Sequence, residues 1–341
     1  YKKPSGARIM AYTTIDNPEL YFQTKIYTGN GSSSHAITLD GSEDMQPDWV
    51  WTKGRNVTYN NQTFDSVRGT TKSLVTNENA AEITISGLTA FGTDGFTLGS
   101  DAQLNNNGST YVAWNWKKTA TAGFDIVSYT GNGSNRTISH SLSAVPSMMI
   151  VKNRDAAEEW TVYHHKNTSV PATDYLALNT TGATTDSNTR WNDTLPTSSV
   201  FTVGTSGVVN ANGQKFIAYL FAEKKGYSKF GSYVGNGNAD GSFIWTGFKP
   251  AFVMTKVTDA ADSWTLWDNK RDVDNVATSM LRADTDQVED TSSSYLVDFI
   301  SNGFKWRSSD GKQNGSGNAY IYMAFAENPF VTSTGIPTTA R

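Results

Sequence analysis

Four histidines, His35, His140, His164 and His165, are the only imidazoles in 341 residues, and there is no cysteine. A thiol nucleophile, disulfides and Cys-ligated zinc are therefore excluded. No HExxH, GxSxG, Walker-A, GxGxxG or EF-hand pattern occurs. His164-His165 is the conspicuous pair, but neighbours on a strand point to opposite faces and rarely serve one metal. Glu158-Glu159 fails for the same reason as an acid–base pair for glycoside cleavage, which needs both carboxylates on one site. Asp284, Asp286, Glu289 and Asp290 share an acidic segment that could hold Ca2+, although a solvated loop is the simpler reading. Asp65 with Arg68, and Asp268 with Arg271, have the spacing either of paired catalytic charges or of surface ion pairs at a strand end. The best ligand-binding candidate is the polar stretch 179–199, whose single aromatic, Trp191, is flanked by Arg190, Asn192 and Asp193. An exposed indole there would stack on the C–H face of a sugar while its polar neighbours take hydroxyls. The competing reading folds Trp191 back onto its own core, as large aromatics usually are. None of these residues implies a cofactor.

What must position such residues is a threefold repeat. Tyr27-Thr28-Gly29-Asn30-Gly31 recurs as Tyr129-Thr130-Gly131-Asn132-Gly133 and as Tyr233-Val234-Gly235-Asn236-Gly237. In the same register, Pro47…Lys53 parallels Pro146…Lys152 and Pro250…Lys256, and an aromatic follows each Pro at the same distance: Phe64, Tyr163, Trp267. Phe96-Thr97-Leu98-Gly99 then parallels Phe201-Thr202-Val203-Gly204 and Phe304-Lys305-Trp306, and a closing strand follows Gly108, Gly213 and Gly317. The frame divides the chain into a leading segment 1–19, repeats at 20–122, 123–228 and 229–330, and a tail 331–341. Each repeat, at about 100 residues, is large enough for its own core, so the expectation is three beads on a string with short junctions. Asp65, His164 and Asp268 share one register, and Arg68, Asn167 and Arg271 another, so the second copy lacks the charge pair. Lys53, Lys152 and Lys256 are the polar side chains that recur; a strand-end Lys ordinarily snorkels to water.

Within a repeat the pattern is β. Short runs rich in Val, Ile, Thr and aromatics alternate with Gly/Asn/Ser/Asp clusters, and each Gly-Asn-Gly supplies positive-φ turn positions. The closing strands, such as Tyr111–Trp116 and Tyr320–Phe325, are apolar on both faces, which predicts a central strand or one that touches a neighbouring module. Only 274–282, with Ala277, Met280 and Leu281, has helical spacing. The fold class expected is all-β: three tandem antiparallel β-sandwich modules, jelly-roll-like.

A net charge of −4 without a basic tract argues against nucleic acid, which needs clustered Lys/Arg for phosphates. No apolar run is long enough to span a membrane as a helix, and the first residues do not lead into a signal-peptide core. Charged residues are only 18% while aromatics reach 12%, so Ser, Thr, Asn and Gly must wet the surface. That palette suits loop-rich extracellular or virion β-proteins.

The frame from Gln46-Pro47-Asp48-Trp49-Val50-Trp51-Thr52-Lys53, through Phe64-Asp65-Ser66-Val67-Arg68-Gly69 and Gly95-Phe96-Thr97-Leu98-Gly99, to Tyr111-Val112-Ala113-Trp114-Asn115-Trp116 resembles a repeat domain of marine tailed-phage virion proteins. Met10–Ile15 and Thr332–Arg341 resemble the natural ends of such genes, with Tyr1–Ile9 preceding the start. The resemblance implies a non-enzymatic structural protein, tail-fibre-like or decoration-like, located in the virion after synthesis in the host cytoplasm. Its partners would be other virion proteins and host surface polysaccharide. Homotrimerisation would suit a fibre, although no heptads accompany it. The alternatives are a free array of carbohydrate-binding modules and, behind it, a glycan-cleaving enzyme.

Overall fold

The structure, a computed structural model, describes residues 11–338; Tyr1–Ile9, the Met10 start and the Thr339–Arg341 end lie outside the described residues. The first unit contains β1 (Phe22–Thr28), β2 (His35–Thr38), β3 (Trp49–Gly54), β4 (Gln62–Asp65), β5 (Lys72–Val75), β6 (Ile83–Thr84), β7 (Leu88–Gly92), β8 (Gly95–Leu98) and β9 (Thr110–Trp116). The second contains β10 (Phe124–Thr130), β11 (Arg136–Ser139), β12 (Met148–Asn153), β13 (Thr161–His164), β14 (Asp174–Ala177), β15 (Thr185–Asp186), β16 (Val200–Val203) and β17 (Lys215–Phe221). The third contains β18 (Ser228–Val234), β19 (Phe243–Trp245), β20 (Phe248–Val257), β21 (Thr265–Asp268), β22 (Leu281–Arg282), β23 (Val297–Ile300), β24 (Gly303–Trp306) and β25 (Ala319–Pro329).

The large sheets run β1-β9-β3-β4-β5-β6, β10-β17-β12-β13-β14-β15 and β18-β25-β20-β21-β22, all antiparallel, so the same order repeats. Each unit adds a small sheet, β2-β8-β7, β11-β16 or β19-β24-β23. The outer strands nest as in a jelly roll, with the last strand between the first and third of the large sheet and the second paired in the small one. The middle strands instead run as a meander within the large sheet. The closing strands β9, β17 and β25 are therefore central, which accounts for half of their double-sided apolarity.

Alternation accounts for the rest. Val50, Phe64 and Ala113 point to one face of the first large sheet and pack on Ile37, Leu88, Phe96 and Leu98 of the small sheet, forming a sandwich core. Similar cores sit in the second and third units, around Phe201 and Trp306. Trp49, Trp51, Trp114 and Trp116 point to the opposite face and enter one shared cluster with Met148, Ile150, Tyr219 and Phe221 of the second unit and Phe252, Met254, Met323 and Phe325 of the third. The rings meet across units: Trp49 stacks on Tyr219 at 4.6 Å, Trp116 meets Phe252 edge-on at 5.7 Å, and Phe221 meets Phe325 at 6.0 Å. A buried indole removes roughly 200 Å² from water and contributes about 5 kcal/mol gross at ~25 cal/mol per Å². Each large sheet is thus apolar on both sides because three of them close around a common core. The units form a three-sided prism and not a string of beads.

The expected helix over 274–282 is absent. Its apolar residues are buried instead along irregular extended chain, where Ala277 bridges Val297, Met280 bridges Asp290 and Leu281 lies in β22. The leading segment lies against the third unit and the segment that follows it: Tyr12 donates its hydroxyl to the Gly247 carbonyl (2.8 Å), and the Asp16 carboxylate accepts from the backbone N–H of Ser333 (2.6 Å).

Candidate functional site

The recurring polar residues converge on the three seams of the prism. Lys53, Lys152 and Lys256 are all buried, against the expectation that they reach water. Each ammonium donates to a backbone carbonyl of the neighbouring unit: Lys53 to Thr285 (2.7 Å), Lys152 to Asn79 (3.1 Å) and Lys256 to Thr181 (3.1 Å). Burial pulls Lys53 down to about 7, against the attraction of Asp286 and Asp284, and pulls Lys152 and Lys256 down to about 8. A lysine at that value could serve as a base or nucleophile. These three are enclosed and occupied by carbonyls, so what they do here is clamp one unit to the next.

A backbone bond crosses each seam at matching places: Glu82 N–H to the Arg154 carbonyl, Thr184 N–H to Thr258, and Glu289 N–H to Arg55, all 2.8 Å. Beside it lies the register that resembled a catalytic charge pair. The Asp65–Arg68 pair is fully buried, and Asp65 accepts from the Tyr219 hydroxyl of the second unit (2.7 Å). Arg68 also reaches Glu82 (3.2 Å), which takes a bidentate pair from Arg154 across the seam (both 2.9 Å). Asp268–Arg271 (2.7 Å) repeats this between the third and first units, with Trp114 donating to Asp268 (3.0 Å) and Glu289 holding Arg271 and Arg55. Burial alone would raise Glu82 and Glu289, but the facing arginines outweigh it and hold both below the usual glutamate range. These are seam bonds and neither surface pairs nor a cleft that a substrate could enter.

The second copy uses neutral groups. His164 donates through Nε2 to the Tyr322 carbonyl of the third unit (3.2 Å), and its Nδ1 accepts from the Lys166 N–H (3.1 Å). Burial, with His165 adding to it, holds His164 down to about 3. His165 turns to another carbonyl of the third unit, Phe230 (2.8 Å), so the pair shares a seam and not a metal. Asn167 accepts from Thr184 (2.8 Å) where the other copies have Arg and Glu.

The predicted ligand loop is closed. Trp191 lies in the second unit's core with its Nε1–H donated to the Asp174 carbonyl (3.1 Å), so no sugar can stack on it. Arg190 is buried over the Tyr175 ring at 4.4 Å and paired with Glu159. Asn192 accepts from Asn135 (2.6 Å), and of the four only Asp193 stands exposed. The acidic segment is likewise dispersed: Asp284 caps the Trp264 N–H, Asp290 pairs with Arg282, and Glu289 serves the seam. Among the described residues, no three His, Asp or Glu side chains come together as a metal-ligating group.

Two sets of residues escaped the sequence reading. Asn105, Asn210 and Asn314 recur three positions before Gly108, Gly213 and Gly317. Each is fully buried and pins the Gly-Asn-Gly turn through its Oδ1, to the N–H of Asn30, Asn132 or Asn236. Glu82, Arg154 and Arg55, with Glu289, which the sequence placed in an acidic loop and not in a seam, form the outer half of the charged seams. Aligning the three copies beyond the strands would have shown both sets.

Fold and site together define a class: three β-sandwiches closed around one core and locked by buried polar clamps that run cyclically from unit to unit. Residues 17–329 match a family described as a domain of unknown function (DUF7483), and the chain belongs to that family. The matched span takes in all three units as one domain. No curated protein matches the chain. No helix among the described residues is long and apolar enough to cross a membrane.

Proposed function

We propose that this chain is a non-enzymatic structural protein of a tailed-phage virion, a fibre-borne or capsid-decorating component that meets host surface glycans. The observation that carries the reading is the use made of the recurring polar residues. Lys53, Lys152 and Lys256, the Asp/Arg register and the Asn105/Asn210/Asn314 set are all spent on holding units or turns together. Polar residues that recur along the frame, the Lys and Asn sets in all three copies and the Asp/Arg register in two, are in this way spent on the body. The resemblance of that frame to phage virion proteins supplies the setting. A cysteine-free body stabilised by packing folds in a reducing cytoplasm and does not depend on redox conditions outside. The closed prism suits a knob or decoration mounted among other virion proteins better than a segment of a rod. Immunogold labelling of purified particles with an antibody to this chain tests it: decoration of particles is expected, and particles free of label overturn the proposal.

A further inference from the structure

The second strand of each unit carries one buried isoleucine, Ile37, Ile138 or Ile244, facing Phe96, Phe201 or Phe304 across the small sheet. The residues on either side of it face outward. In the first two units they are Ala36 and Thr38, and Thr137 and Ser139, as solvent demands. In the third they are Phe243 and Trp245, 48% and 50% exposed. The fold does not require aromatics here, since two of three copies do without them.

Phe243 and Trp245 wall a groove of about 510 Å³ beside the edge strands β18 and β19, a volume that suits a small ligand or a stretch of a chain. Its rim carries Lys229, Glu223 and, from across the seam, Lys166. The Lys229 ammonium lies 5.3 Å from the centre of the Trp245 ring and 3.4 Å from Glu223, while Lys166 is exposed. The rim therefore keeps an excess of positive charge beside two aromatic faces. A peptide strand cannot add to β18 at this point: the outward carbonyl of Phe230 is taken by His165 (2.8 Å) and its N–H faces Glu223 (3.5 Å).

We propose that this groove binds an acidic glycan, its pyranose C–H faces stacked on Trp245 and Phe243 and a sugar carboxylate met by Lys166 and Lys229. Alternate positions on a strand lie roughly 7 Å apart, so the two platforms take two rings of one chain. The inference rests on the reading above only for the source of the polysaccharide.

Calorimetric titration of the full chain with hexameric oligogalacturonate, oligomannuronate and neutral maltohexaose tests it. Binding of at least one oligouronate is expected. Trp245→Ala should weaken it about tenfold, Phe243→Ala about fivefold, and Lys166→Gln about threefold with a shallower salt dependence. Leu195→Ala, at an exposed position outside the groove, should change nothing. All four positions are exposed, so thermal melting should match the parent chain and separates lost binding from lost fold. No heat with either oligouronate, binding indifferent to Trp245→Ala, or preference for maltohexaose overturns the proposal. Particle labelling is read independently: unlabelled particles with an intact titration remove the virion and keep the groove, and the converse removes the groove alone.

Discussion

At the seam between the first and second units, Arg68 sits between Asp65 and Glu82 while Arg154 closes on Glu82 from the other side. At the matching place between the second and third units stand His164, Asn167, Thr184 and Thr258, with no formal charge among them. Both seams keep the same backbone bond, the same lysine-to-carbonyl clamp and the same indole donor, Trp160 to the Val75 carbonyl and Trp264 to Ala177, each 2.9 Å. The difference teaches that backbone contacts and the shared core set the geometry, and that the side chains filling the Asp/Arg register have to satisfy one another and the group that faces them from the next unit, the Tyr219 hydroxyl, the Trp114 N–H or the Tyr322 carbonyl. Buried ion pairs gain little over a neutral set that fits, yet are expensive to break halfway.

The largest expected effect follows directly. Arg68→Ala strands the buried Asp65 and should cost about 3–5 kcal/mol in urea unfolding; a loss below about 1 kcal/mol would show that the charges do not hold the seam. Next comes pH. His164, held down to about 3, is neutral in the folded chain, whereas unfolded it takes up a proton near 6.5. Stability should therefore fall as pH drops from about 6.5 towards 3, by about 2 kcal/mol at pH 5. The charged seams behave differently, because Glu82 and Glu289 are held below the ordinary glutamate value of 4.5: their contribution is intact down to about that pH and is lost progressively from there as pH falls through their depressed values. His164→Gln should flatten the profile between pH 6.5 and 5, leaving a smaller slope from His165 and His140, which burial also holds down. An unchanged slope would remove His164 as its source. Asn167→Ala leaves only the Thr184 hydroxyl unpaired and should cost about 1 kcal/mol by the same denaturation. The smallest effect is expected for the full exchange of Asp65→His, Arg68→Asn, Glu82→Thr and Arg154→Thr together with Tyr219→Met, which installs the neutral set in the charged seam and removes the hydroxyl that donated to Asp65. It should remain within about 1 kcal/mol of the parent, far from the cost of Arg68→Ala alone. A loss as large as the single change would mean that the seams are not interchangeable.

Much of the fold was legible in advance. Gly-Asn-Gly at 29–31, 131–133 and 235–237 marked the turns, and Gly31, Gly133 and Gly237 do adopt positive φ. The two-sided apolarity of Tyr111–Trp116 marked a strand that is central or touches a neighbouring module, and β9 is both. Periodicity failed at 274–282, where spacing that suits a helix face also suits residues bridging to two different segments. At the candidate site the copies placed Asp65 and Asp268 in one register correctly, but their burial could not be read, because the groups that cover them lie far along the chain. Trp191 took the second of its two readings, folded onto its own core: the polar neighbours that would have accompanied a sugar platform, Arg190 and Asn192, find partners in Glu159 and Asn135.

The sequence by itself determined the local and periodic features: the absence of thiols, the threefold frame, the strands and turns, and which side chains share a face. Those follow from backbone geometry and spacing over a few residues. The tertiary structure decided which faces meet. That Trp114 donates to Asp268, 154 residues away, that Arg154 closes on Glu82 across 72, and that Lys53 reaches Thr285 across 232 depends on three sheets finding a common core. Apolar surface is non-directional and names no partner, so only the closed packing of the three units turns repeated polar residues into seams and leaves Phe243 and Trp245 facing outward.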